Sequence, residues 1–283
     1  MTSHENTQTA QVNLEPQRGK LIAVCSAKGG IGRTTLTVNL AVALMKKNVT
    51  AAILDGDFQF GDVNLAMDLK FSFTIKEVIE SIGIIDEHSL ANYLAVHESG
   101  VRVLSAPDRP EYADLVTNEA ADKVVDIMLI GHDYVLVDTP VGLNEQSLRF
   151  IERADQILVI TNLEMAALKN TKLYLETLDI LGLRDKVRVV INRANMESVI
   201  KATDAAKILA AENPIYIPND FQICSQSINL GVPFVIKHGK SDVAKGVFKM
   251  AELLSGGNGS STLKSKKKNP HLGKWFSKKD RRD

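Results

Sequence analysis

Cysteine is almost missing: Cys25 and Cys224 are the only two in 283 residues. Two thiols cannot build a disulfide framework of the kind that staples small secreted domains, and Cys25 lies inside an apolar run. Both read as reduced, packed thiols of a cytosolic protein. Long apolar stretches are lacking too. None approaches the roughly 18 residues that a membrane-crossing helix requires. Met1 to Gln17 is polar, without the apolar core of a signal peptide, and residues 1–19 read as a disordered leader. No internal repeat is visible, and nothing marks a second globular domain. Net charge is absent as well, with 34 Lys and Arg against 34 Asp and Glu. That balance hides an asymmetry. From Leu263 to Asp283 there are nine basic residues against two Asp, so this end carries formally +7 and the remainder −7. Hydrophobic content of 45% is ordinary for a globular chain of this length, which suffices for one large α/β domain.

What is present is organised around Ser26-Ala27-Lys28-Gly29-Gly30-Ile31-Gly32-Arg33-Thr34-Thr35. An apolar run, Leu21 to Val24, enters it, and a helical pattern from Thr35 to Lys47 leaves it. Strand, glycine-rich turn and helix form the setting in which backbone N–H groups cradle a phosphate chain. Thr34 stands where a hydroxyl would join a magnesium shell. A strict G-x-x-x-x-G-K-[ST] motif is nonetheless lacking, because Ala27 replaces the first glycine and Arg33 the lysine. Further along, Val49 to Leu54 reads as a strand ending in Asp55-Gly56-Asp57, and Tyr134 to Val137 as one ending in Asp138-Thr139-Pro140. Carboxylates at the C-terminal ends of parallel strands lie where α/β sheets take ligands, and Asp138 is placed to hold magnesium. Val101–Ser105, Asp155–Thr161 and Lys186–Ile191 are further strand candidates. Helical spacing predicts helices over 73–85, 89–96, 118–130, 165–181 and 242–254. The alternation implies an α/β fold, a mostly parallel sheet with helices on both faces, over residues 20–254.

Lys28 to Thr34 resembles the deviant Walker A motif, K-G-G-x-G-K-[ST], of the MinD/ParA ATPases, with Arg33 as the departure. The resemblance implies a P-loop NTPase fold of SIMIBI type, with ATP and Mg2+ as cofactors. It implies that Lys28 reaches across an ATP-sandwiched homodimer and that Asp57 polarises the attacking water. Asp138 then acts from the second switch, and Thr34, Asp55 and Asp138 surround the metal. Gly29, Gly30, Ile31, Gly32, Arg33, Thr34 and Thr35 would wrap the phosphates. Asn192, with Arg193, would read the adenine edge, and Pro218 and Asn219 would close over the base. Iron–sulfur relatives are disfavoured, since their paired cluster cysteines are missing. The stretches Leu54–Val63, Ile217–Phe221 and Ser227–Pro233 look like the CpaE/TadZ group, which helps place Tad-type (type IVc) pilus machinery. Many of that group carry a receiver-like domain in front, and the short polar stretch ahead of the first strand leads us to expect none here.

Arginine keeps the charge of the Walker lysine but brings a larger planar fork, so slow turnover is expected. Residues 255–262 read as a flexible linker and 263–283 as a basic amphipathic tail. Leu272, Trp275 and Phe276 share a helical spacing with Lys274, Lys278 and Lys279 around them, which suits an anionic inner-membrane surface. An inert solvated tail and a nucleic-acid arm remain alternatives, nucleic acid being the least favoured. The expectation is thus a cytoplasmic, peripherally membrane-bound, ATP-dependent dimerising switch that positions pilus or other polar machinery. A non-hydrolysing scaffold of the same fold, a MinD-type regulator of division-site or flagellar placement, and a segregation ATPase stay open beside it.

Overall fold

Strand residues that are apolar at every position must bury both faces of their sheet, and helices must cover both. The computed structural model describes residues 18–45 and 48–256. The strands are β1 (Lys20–Ser26), β2 (Ala51–Asp55), β3 (Ala95–Val96), β4 (Arg102–Leu104), β5 (Tyr134–Asp138), β6 (Gln156–Thr161), β7 (Val187–Asn192) and β8 (Ile215–Ile217). They form one sheet in the order β3-β4-β2-β5-β1-β6-β7-β8. Every pair is parallel except β3 with β4 at the edge. The expected P-loop α/β architecture is what the chain adopts.

Alternation along the strands sorts the core. Leu21, Ala23 and Cys25 of β1 join Val135, Val137, Ile157 and Val159 on one face, under the helices Asn118–Gly131, Glu145–Arg153 and Met165–Ile180. Ile22 and Val24 join Ile53, Leu136, Leu158 and Ile160 on the other, under the helices Arg33–Leu44 and Asp242–Ser255. All five residues of β5 are buried, so truncating Leu136 to alanine would cost about 2–5 kcal/mol.

The structure corrects several sequence expectations. The helix expected over 89–96 is a single turn, Glu87–Leu90, capped by Asp86, and Ala95–Val96 pairs as β3 instead. A turn at His97–Val101, with Gly100 at φ +88°, reverses the chain and makes that antiparallel edge. The helix expected over 73–85 shrinks to Ile75–Glu80, started by a Thr74–Glu77 capping box and ended by turns at Ser81 and Ile82. Tyr216 and Ile217, just ahead of Pro218 and Asn219, belong to β8. Arg18 and Gly19, assigned to the leader, are tied down: Gly19 N–H donates to the Leu129 carbonyl and Arg18 pairs with Asp155. Ser255, assigned to the linker, ends the last helix. The rest of the leader (1–17), the linker beyond Gly256 and the tail with Leu272, Lys274, Trp275, Phe276, Lys278 and Lys279 lie outside the described residues. Among the described residues no helix is long and apolar enough to cross a membrane.

Candidate functional site

At the C-terminal edge of the sheet, β1 runs into the turn Ala27–Gly32 and then into the helix Arg33–Leu44. Gly30 and Gly32 have φ of +73° and +92°, in the left-handed region where a Cβ is costly. Gly32 is the N-cap, so no side chain caps this helix, and its first turn holds no acidic residue. Its leading N–H groups and the positive end of its dipole are left for an anion.

Asp138, at the end of β5, lies beside Val24 of β1 and Asp55 of β2 in the sheet register. Three side chains of the first helix converge on its buried carboxylate. The Thr34 hydroxyl donates to Oδ2 at 2.6 Å, the Thr37 hydroxyl to Oδ1 at 2.9 Å, and Arg33 Nε to Oδ1 at 3.1 Å. The Arg33 guanidinium also reaches Asp57, with Nη2 3.6 Å from Oδ2. Burial raises the Asp138 pKa above the usual carboxylate range, opposed by the Arg33 charge and the two threonine hydroxyls. Arg33 thus bridges the strand-end acids of β2 and β5.

Asp55 is held differently. Its carboxylate accepts from Val63 N–H at 3.1 Å and Asp57 N–H at 3.4 Å. It lies so close to Gly61 that a Cβ there would sit 2.3 Å from Oδ2. Burial, and then the neighbouring Asp138 charge, push its pKa well above the ordinary value. Asp55 therefore folds the Asp57–Val63 segment.

Lys28 pairs with Glu164 at the start of the helix Met165–Ile180, Nζ to Oε2 2.5 Å, and Asn162 Nδ2 steadies that carboxylate at 3.0 Å. The Lys28 contact holds the Glu164 pKa below the usual range, with the Asn162 bond assisting. Both side chains are well exposed, so the pair contributes little stability. Its content is the direction in which Lys28 points.

Asn192, at the end of β7, meets the loop. Its Nδ2 donates to the Ile31 carbonyl at 2.8 Å, and Arg193 Nη2 donates to the Gly30 carbonyl at 3.3 Å. Asn219 N–H donates to Asn195 Oδ1 at 2.6 Å, so the segment carrying Pro218 and Asn219 is tied to the turn after β7. Thr35 is buried, and its carbonyl accepts from Asn39 Nδ2, whose Oδ1 takes Val235 N–H.

The structure thus brings together Gly29 to Thr35, Asp57, Asp138, Asn192 and Arg193, with Lys28 turned to Glu164. Thr37, Asn162 and Glu164 were missed from sequence. Thr37 could have been found, since it stands three positions after Thr34 on one helical face. Glu164 carried no local signal.

These residues fit a phosphate chain with magnesium. The uncapped helix start offers donors, and Thr34 already shares its hydroxyl with Asp138. Among the described residues no group of three or more His, Cys, Asp or Glu could hold a metal alone. A magnesium ion here would need phosphate oxygens and water to complete its octahedron.

Residues 19–191 match the AAA domain family. The septum site-determining protein MinD of Thermotoga maritima is 27% identical over 247 residues, 84% of this chain and 89% of its own. A ParA family ATPase from Chlorobium tepidum superposes with a TM-score of 0.77 at 20% identity, over 82% of this chain and 98% of its own. The septum site-determining protein MinD of Pyrococcus horikoshii, complexed with Mg-ADP, superposes with a TM-score of 0.73 at 23% identity. It covers 84% of this chain and 96% of its own. These two superpositions establish the fold.

Proposed function

This chain belongs to the AAA domain family as a MinD/ParA-type P-loop ATPase, and from that premise we propose that it is an ATP-dependent dimerising switch that positions a membrane-associated machine. The observation that carries the reading is the junction at Asp138. One carboxylate collects Thr34, Thr37 and Arg33 from the phosphate-loop helix and, through Arg33, Asp57 from the other strand end. Phosphate bound over the loop would compete for Arg33 and magnesium would compete for Thr34 and Asp138. Nucleotide occupancy would then reset the segments that follow β2 and β5 together. Once bound, magnesium and ATP supply the charge that this exchange needs. The chain's own part is to present donors, orient Thr34 and release Arg33.

Dimerisation is supported by what surrounds the loop. Phe60, Val141 and Met165, which follow β2, β5 and β6, are exposed apolar side chains on the rim of the site. Lys28 is held by an exposed, screened pair that costs little to break. A second copy facing this edge would cover the apolar rim and take up the lysine.

The machine we propose is Tad-type pilus assembly, on the resemblance of 54–63, 217–221 and 227–233 to the CpaE/TadZ group. The basic tail would bring the dimer to the inner face of the membrane, where two tails bind far better than one. Regulation of division-site placement is the second reading, favoured by the likeness to the Thermotoga maritima protein. A non-hydrolysing scaffold is the third, favoured by Arg33 in place of lysine.

The test is molecular mass by light scattering without nucleotide, with ADP and with ATP, on the wild type and on Arg33→Lys. A dimer with ATP alone supports the switch, and phosphate release from the same samples reports turnover. A wild type that stays monomeric throughout, while Arg33→Lys dimerises, would hand the case to the scaffold.

A further inference from the structure

A buried carboxylate needs a donor on each oxygen, because water cannot reach in to replace one that leaves. Asp138 meets that need from a single helix. Thr34 and Thr37 stand three positions apart on one helical face, and each hydroxyl takes a different oxygen. Thr34 donates to Oδ2 at 2.6 Å and Thr37 to Oδ1 at 2.9 Å, with Arg33 Nε also on Oδ1 at 3.1 Å. The three donors differ in what else they can reach. Thr34 and Arg33 are half-buried at the mouth of the loop, whereas Thr37, one turn further into the helix, is fully buried. In the exchange proposed above, Arg33 turns to phosphate and Thr34 to magnesium, so Asp138 gives up two donors together. We propose that Thr37 is the positioning residue that keeps Oδ1 of Asp138 held through this exchange, so that Oδ2 stays turned toward the metal. This rests on the nucleotide reading above and deepens it.

The Thr37 hydroxyl has one proton and two acceptors in reach, Asp138 Oδ1 at 2.9 Å and the Arg33 carbonyl at 3.0 Å. That carbonyl lies four residues back in the helix, where the Thr37 backbone N–H serves it already. An ionised carboxylate is the stronger acceptor, and bonds to it are roughly twice as strong as neutral ones. The proton therefore goes to Asp138. Arginine at position 33 sharpens the requirement. Its Nε lies on Asp138 while Nη2 is 3.6 Å from Asp57, so one movement of the guanidinium leaves both acids. Asp57 is half-buried and can turn to water. Asp138, at the end of a strand buried at every position, cannot.

The decisive comparison is ADP with and without its metal. Calorimetric titrations with ADP in excess magnesium and with ADP in EDTA would be run on wild type, Thr37→Val and Thr37→Ser, each checked by its melting curve. Valine keeps the shape of threonine and removes the donor, while serine keeps the donor. Thr37→Val should weaken ADP binding about tenfold more with magnesium than without it, the cost of leaving a buried acceptor unpaired. Thr37→Ser should keep the wild-type ratio. Thermal upshifts at the same ligand concentrations give the same comparison for a variant too labile to titrate. Equal losses with and without metal would make Thr37 a packing residue of the loop helix and overturn the proposal. So would an unchanged ratio in Thr37→Val, or a serine variant that fails as the valine variant does. A wild type that binds ADP equally well with and without magnesium would sink the proposal and leave nucleotide binding standing. A wild type that binds ADP under neither condition would sink both.

Discussion

Replacing Arg33 with alanine in the nucleotide-free protein isolates what this departure from lysine does. Asp138 has 1% of its side chain exposed and Arg33 has 11%, so the pair is shielded from water. Removing one partner of a buried pair costs about 3–5 kcal/mol, since a charge is left uncompensated. Here the lower end applies, because Thr34 and Thr37 still donate to the carboxylate. About 3 kcal/mol, at roughly 2–4 °C per kcal/mol for a domain of this size, lowers the melting temperature by about 6–12 °C. The sign with pH follows from burial. Without Arg33 the Asp138 pKa, already raised, climbs further, so the folded variant binds a proton more tightly than the unfolded chain does. Its deficit is therefore full at neutral pH and shrinks as pH falls toward about 4. Thermal melts from pH 5 to pH 8 would show this, and adding Asp138→Asn to the variant should recover most of the loss. A variant melting within about 2 °C of wild type at pH 7, or a deficit indifferent to pH, would refute the counter-ion reasoning.

Gly32→Ala should cost about 2 kcal/mol or more, from its φ of +92° and its approach to Asn192, and should abolish MgATP binding as read by calorimetry. Lys28→Ala should leave the melting temperature unchanged within about 1 °C, because its pair with Glu164 is exposed, while ATP-dependent dimerisation on a sizing column disappears. For Asp55, the raised pKa means that the wild type loses stability as pH rises above the ordinary carboxylate value. Denaturant titrations of Asp55→Asn should show a flatter profile, least stable relative to wild type near pH 5 and gaining on it by pH 8. Ending the chain at Gly256 should abolish sedimentation with anionic vesicles in the presence of ATP. Retention on vesicles by the shortened chain would place the membrane contact elsewhere.

Legibility in the sequence followed the physics of each element. The central strands were readable because burial on both faces leaves near-continuous apolar runs, as in Val135–Val137 and Ile157–Ile160. The helices Asn118–Gly131 and Asp242–Ser255 were readable because one face is apolar and a Thr or Ser caps the start. The helix Glu145–Arg153 escaped notice, since its few buried residues are Ser147, Phe150 and Ile151. Beside the core contacts of Phe150 and Ile151, Arg149 and Arg153 pair with Asp122, contacts that no spacing announces. β3 was unreadable because two residues leave no period to detect. At the site, residue types named the chemistry, and Thr34 and Asp138 met as that chemistry requires. The partners of Lys28 and Asn192 lie 136 and 161 residues away in sequence, so only the assembled sheet reveals them.

The place of β1 has a consequence for how the molecule is made. The strand that leads into the phosphate loop comes early in the chain yet sits in the middle of the sheet, between β5 and β6. Val24 receives the Thr139 hydroxyl across 115 residues, and Cys25 reaches the Leu158 carbonyl across 133. Closing such spans is slow, and neither flank of β1 exists until the second half of the domain is present. In vectorial synthesis the first-made strand is thus among the last to be enclosed, and β6 is complete only at Thr161. A stalled nascent chain that stops short of it carries the whole loop sequence with no seat for it.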